Sequence, residues 1–223
     1  MKHLLIFFLL SFTLLYAQIG KITALKGDVL IKRDGQYKIA KLNAPINKLD
    51  IVTTEKNARI QLLFKDNTMI SIGKNSTFSI EDYLYDVGKK PKLAFKFGQG
   101  AFKAITGKIG KLNPRGFKLK SKTASIGIRG TIIGLELSDK EETYLVPEGK
   151  IELKIGTKTF ILDAGQMFIR DPKKPLGKPV RMTKKRKDKI ERNSGANDNE
   201  RESGLGEKTR TISVNNVEKC NYR

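Results

Sequence analysis

Between Gln18 and Arg170 apolar and polar residues alternate with a period of two, and this pattern restricts the fold more than any other feature. Ile151, Leu153 and Ile155 alternate with Lys150, Glu152 and Lys154. Leu93, Phe95 and Phe97 alternate with Lys92, Ala94 and Lys96. Ile60, Leu62 and Phe64 stand against Arg59, Gln61 and Leu63, and Phe117 and Leu119 against Lys118 and Lys120. Successive side chains on a strand point to opposite faces, so each segment buries one face and wets the other. Half-wet strands of this kind belong to antiparallel sheets. No window of the region carries a 3.6-residue apolar repeat. Turn signals separate the segments: Asp66-Asn67-Thr68, Val146-Pro147-Glu148-Gly149, Gly156-Thr157, and glycines at 27, 35, 73, 98 and 100. About ten to twelve short strands are expected, arranged as an all-β, antiparallel sandwich or barrel.

The two ends differ from this middle. Residues 4–17 are almost wholly apolar and follow Lys2, which reads as an export signal peptide cut between Ala17 and Gln18. Leu15 stands where a small residue is preferred, so the alternative is an uncleaved N-terminal anchor. No cysteine follows the stretch, which leaves no site for lipid attachment at the mature N-terminus. Cleavage leaves 206 residues without a histidine, since His3 is the sole one. Ser-His-Asp and Cys-His catalysis and His-ligated zinc are thereby excluded. From Asp171 onward charge, Gly, Asn and Ser dominate, and residues 171–223 read as a basic, mostly disordered tail with a transient helix over 182–192. Cys220 has no partner within the chain and reads as a free thiol in that tail. The domain boundaries expected are therefore 1–17, 18–170 and 171–223.

Chemistry-bearing clusters are sparse. With one cysteine and no mature histidine, zinc, copper and iron–sulfur sites lack ligands, and no metal or cofactor is expected. Asp139, Glu141 and Glu142 lack calcium-loop spacing and read as solvated turn charge. Glu81-Asp82, and Glu148 with Asp163, could serve as an acid and a base, but charged residues at hairpin ends need no such role. Gly107-Lys108-Ile109-Gly110-Lys111 resembles a phosphate cradle, yet no Ser or Thr follows the lysine and no helix is expected to open there. Gly98-Gln99-Gly100 reads as a turn. No catalytic residue is assigned.

The net charge of +21 raises the question of an anionic partner. Lysine outnumbers arginine 33 to 11, and arginine is the residue that grips phosphate with two parallel bonds. With export and without an aromatic stacking platform, nucleic acid is not the expected partner. Charge alone would give weak attraction to anionic lipid head groups or envelope polysaccharides.

One segment is more specific. Ala124-Ser125-Ile126-Gly127-Ile128-Arg129-Gly130-Thr131 leads into Ile132-Ile133-Gly134-Leu135-Glu136-Leu137. With Gly27-Asp28-Val29, Leu49 to Thr54, the Asp66-Asn67-Thr68 turn, Glu148-Gly149-Lys150-Ile151 and Leu162-Asp163-Ala164-Gly165, it resembles the FecR-type periplasmic domain over roughly residues 24–168. The resemblance implies an all-β, jelly-roll-like domain in the periplasm. Some family members pass an iron-siderophore signal to an extracytoplasmic sigma factor through a cytoplasmic segment. Here only Met1-Lys2-His3 precedes the apolar stretch, so that role is not carried over. The expectation is a non-enzymatic binding, signalling or scaffolding module that contacts another envelope protein. The alternative is a basic protein that associates with anionic envelope polymers or lipid head groups. The motif residues Gly127, Arg129, Gly130, Thr131, Glu148 and Gly149 are expected to be structural. The glycines would supply positive φ or close approach, and Arg129 would fix the corner by bonding carbonyls or, alternatively, meet an anion.

Overall fold

The computed structural model describes residues 18–195. The first strands are β1 (Gln18–Lys26), β2 (Val29–Arg33), β3 (Gln36–Ile39), β4 (Pro45–Asn47), β5 (Ile51–Thr54), β6 (Arg59–Phe64), β7 (Met69–Ile72) and β8 (Ser76–Leu84). They are followed by β9 (Lys92–Phe97), β10 (Gly100–Ile105), helix α1 (Lys108–Leu112), a 3-10 turn (Pro114–Gly116) and β11 (Phe117–Lys120). The last elements are β12 (Ala124–Leu137), β13 (Glu142–Ile155), β14 (Lys158–Asp163), β15 (Gln166–Arg170), β16 (Val180–Arg181) and helix α2 (Lys184–Ser194).

The alternation sets these strands. The inward apolar set of each of the four alternating segments is buried, while Leu63 and Ala94 on the opposite face are half-buried and the lysines and glutamate are exposed or half-buried. All strands join one curled sheet whose two halves face each other. One half runs β3-β2-β5-β8-β9-β11 and continues through Ala124–Arg129 of β12 and Lys150–Ile155 of β13 to β14. The other runs β4-β1-β6-β7-β10 and continues through Ile132–Leu137 of β12 and Glu142–Val146 of β13 to β15 and β16. The two 14-residue strands of the β12–β13 hairpin thus belong to both halves. Rings close the space between. Phe95 lies 5.3 Å from Phe64, and Phe102 lies 5.9 Å from Phe78 and 5.1 Å from Phe97. Each such pair adds about 0.5–1.5 kcal/mol beyond area burial.

Two expectations need correction. The sheet is not wholly antiparallel, because β9 and β11 run parallel, with Leu93 opposite Phe117 and Phe95 opposite Leu119. After β9 the chain crosses to the other half as β10 and returns through α1 and the 3-10 turn, the long crossover a parallel pair requires. The strands also number more than ten to twelve, since short edge pieces such as β4 and β16 are too brief to show periodicity.

Residues 171–195 depart from the disorder expected of a tail. They supply β16 and α2, whose Ile190 is 1% exposed. The transient helix read over 182–192 is a packed helix here. The signal segment with its cut after Ala17, and the tail beyond residue 195 with Cys220, lie outside the described residues.

Candidate functional site

The motif residues meet at the bend of the β12–β13 hairpin. Arg129 pairs with Lys150, and the next pair is Ile132 with Glu148, so the register slips between them. Gly130 has φ +55° and Gly149 φ +82°, the left-handed region that side chains resist. A Cβ on Gly149 would stand 2.5 Å from the Gly130 carbonyl oxygen, whereas Gly130 faces open space. The bend therefore needs glycine at 149 for both conformation and room, and at 130 for conformation alone. A bulge here lets one hairpin turn from one half of the sheet into the other.

Thr131 locks that turn. Its side chain is 3% exposed. Its N–H donates to Thr106 Oγ1 at 2.8 Å, its carbonyl accepts from Thr106 N at 3.1 Å, and its hydroxyl donates to the Lys150 carbonyl at 3.2 Å. Thr106 drew no notice in the sequence, because a threonine in a polar stretch carries no periodic signal.

Next to Thr106 lies a buried polar knot. Gly107 N donates to Thr68 Oγ1 at 3.0 Å, and the Thr68 hydroxyl donates to Asp66 Oδ2 at 2.7 Å. Ile109 N donates to the same carboxylate oxygen at 3.2 Å, and the Asp66 backbone N–H donates to the Tyr83 hydroxyl oxygen at 3.1 Å. Burial, and then the Asp66 charge, raises the Tyr83 hydroxyl above its ordinary pKa. The Gly107–Lys111 reading is corrected here: a helix does open at Lys108, but the fold's own Asp66 takes its first N–H groups, Lys108 N on the backbone carbonyl at 2.7 Å and Ile109 N on the carboxylate. Asn67 has φ +65°, as a tight hairpin turn demands.

Other motif positions are likewise structural. Asp50, fully buried, accepts from Arg33 Nε at 2.8 Å, from Arg33 Nη2 at 2.7 Å and from Asn47 N at 2.8 Å. Hydrogen bonding to Asp50 raises the Arg33 pKa against the cost of burial. Thr54 donates to the Gly73 carbonyl at 2.6 Å and accepts from Ser76 N at 2.9 Å.

Four readings change in the structure. The Arg129 side chain does not bind carbonyls at the corner; it is exposed, and its guanidinium makes no hydrogen bond or ion pair among the described residues. The alternation sends Ile128 inward and Arg129 outward, into a shallow groove of about 190 Å³ lined by Lys150, Ile151, Glu152 and Ile161. Gly127 has no close neighbour, a Cβ there meeting Glu152 at an ordinary 3.8 Å. Glu148 is exposed. The Asp139–Glu142 stretch is not uniformly solvated. Glu142 is 5% exposed, accepts from Thr123 Oγ1 at 2.6 Å and from Tyr144 OH at 2.9 Å, and lies 3.2 Å from Arg170. Burial raises the Tyr144 hydroxyl pKa, and the Glu142 charge adds to that. Glu141 pairs with Arg186 of α2, whose hydrogen bond holds its carboxyl below the ordinary range.

The carboxylate pairs considered for acid–base work are engaged elsewhere. Asp82 bonds Lys48 and Lys92, Glu81 lies 3.3 Å from Lys120, and Asp163 lies 2.9 Å from Lys150. Among the described residues no group of three His, Cys, Asp or Glu side chains could hold a metal ion.

Comparison with known proteins finds similarity over part of the chain. The FecR protein family model matches residues 50–152, from the buried Asp50 to just past the Gly149 bend. Two crystal structures of a candidate anti-sigma factor from Parabacteroides distasonis are similar at 12% identity, with TM-scores of 0.46 and 0.47. Each alignment covers 60% of this chain and 59% of the other, so the chain spans less than two thirds of their length. No curated protein matches.

Proposed function

We propose that this chain, which carries a FecR domain at residues 50–152, is a non-enzymatic binding and signalling module of the periplasm that contacts another envelope protein. One observation carries the reading. The motif's buried polar groups are spent on the fold itself, Thr131 on the bend, Asp66 on the neighbouring turn and Asp50 on Arg33, while Arg129 projects outward from the bend beside Ile161, which is 48% exposed. A cation with an exposed aliphatic neighbour on a rigid sheet face is the composition protein interfaces favour. The periplasmic placement rests on the apolar segment 4–17.

The charge-driven alternative has its own support, since Lys118, Lys120, Lys154 and Lys158 are all exposed on the same half of the sheet. Photo-crosslinking in intact cells distinguishes the two. A crosslinker at position 129 should capture one protein, and one at Lys38 on β3 should not. Capture should survive 0.5 M salt and be lost in Ile161→Asp with the melting temperature unchanged. Capture that vanishes with salt, or that is equal at both positions, would favour anionic polymer over a protein partner.

A further inference from the structure

Helix α2 lies on the outer side of the second half of the sheet, against β10 and β12, and only Ile190 and Ser194 of its residues are buried. Ile190 packs on Leu145 and Met167, flanked by Ile169 and Met182, in a small cluster separate from the main core. The remaining contacts are polar. Arg186 grips Glu141 with two nitrogens, Lys189 lies 2.7 Å from Glu136, Lys103 lies 2.9 Å from Glu191, and Asn193 donates to Glu136 at 2.9 Å. The sheet is shaped to seat the helix. A Cβ on Gly73 would stand 1.9 Å from the Asn193 carbonyl oxygen, and one on Gly134 3.0 Å from Ile190.

We propose that this face is a docking groove for a basic amphipathic helix, occupied in this chain by α2 as a detachable latch held chiefly by charge. Eleven residues are too few to stay helical alone in water, so α2 is ordered by docking rather than by its own propensity. Its detachment uncovers one apolar residue on the helix and leaves the main core intact. The groove then presents Glu136 and Glu141 beside Leu145 and Met167. That chemistry fits a partner helix with the spacing of Arg186, Lys189 and Ile190. The groove lies on the other half of the sheet from Arg129, so its failure leaves the reading of that face standing.

While tethered, α2 holds the groove at an effective concentration on the order of millimolar, which a free helix must overcome. The test therefore removes the tethered competitor without touching the groove. A labelled peptide spanning Thr183–Gly195 is titrated by fluorescence anisotropy with the full chain, with Arg186→Glu/Lys189→Glu, and with that double variant carrying Gly73→Ala. The double variant should bind the peptide about tenfold tighter than the unaltered chain. Gly73→Ala, which obstructs the seat itself, should remove the gain. Hydrogen exchange on the unaltered chain supplies an independent reading. Raising NaCl from 0.05 to 1 M should speed α2 amides about tenfold while β10 and β12 stay protected. Equal peptide binding by all three proteins, or α2 protection that is lost only together with that of β12, would overturn the proposal.

Discussion

Replacing Gly149 by alanine tests the account of the bend, because it combines two costs that Gly130→Ala separates. At both positions the backbone sits at positive φ, +82° and +55° respectively, and a side chain there costs about 1–2 kcal/mol. Only at 149 does the new methyl also collide. It would meet the Gly130 carbonyl oxygen at 2.5 Å and the Thr131 Cα at 3.0 Å, both backbone atoms of a hydrogen-bonded hairpin that cannot swing aside. Overpacking of that kind adds about 1–3 kcal/mol. Gly149→Ala should therefore cost about 2–5 kcal/mol and Gly130→Ala about 1–2. For a domain of this size the melting temperature falls by roughly 2–4 °C for each kcal/mol, so the two variants should be resolved by melting alone. Urea unfolding gives the sharper comparison, provided the slope is the same in both. Gly130→Asn should recover part of the loss at 130, since asparagine tolerates the left-handed region. Equal losses at 130 and 149, or a larger loss at 130, would refute the claim that close approach is what demands glycine at 149.

Other substitutions test the neighbouring contacts. Thr131→Val keeps the shape and both bonds that the Thr131 backbone makes to Thr106 but deletes the bond to the Lys150 carbonyl, and should cost about 0.5–1.5 kcal/mol in urea unfolding. Arg129→Ala, an exposed change, should stay within about 0.5 kcal/mol of the unaltered chain in the same assay. Asp50→Asn leaves a partly buried Arg33 without its anion and should cost about 1–3 kcal/mol, the usual cost of breaking a buried pair reduced because Arg33 is one-fifth exposed. Glu141, held below the usual carboxylate value by Arg186, stabilises the docked helix above about pH 4.3 and loses that contribution as pH falls through its lowered value. Exchange of α2 amides, corrected for intrinsic rates, should therefore rise as pH falls below the ordinary glutamate range while β12 stays protected; α2 protection that is lost in acid only together with that of β12 would refute it.

The sheet was legible in the sequence because alternation is a local signal: Leu93, Phe95 and Phe97 declare a buried face within six residues, and they are buried. The bend was half legible. Gly130 and Gly149 stand out as glycines inside strand-like runs, and both take positive φ. Arginine at 129 drew the eye for its charge, yet strand parity alone turns it outward once Ile128 is buried. The lock fell instead to Thr131 and Thr106, whose hydrogen bonds span 25 residues of chain and leave no trace in any window. The parallel pairing of β9 with β11 was illegible for a related reason, since both strands are half-wet and nothing in either records the direction of its neighbour. The packing of helix α2 was hidden by its composition. One buried isoleucine among lysines and arginines has too little apolar surface to fold alone, and by that measure residues 182–192 are no more than a transient helix in a disordered tail. What makes the segment a helix lies more than 40 residues away, in the carboxylates of Glu136 and Glu141 and the bare backbone of Gly73 and Gly134. A segment whose order depends on a distant charged seat is also one whose order can be taken away, by salt, by acid or by a better-fitting helix.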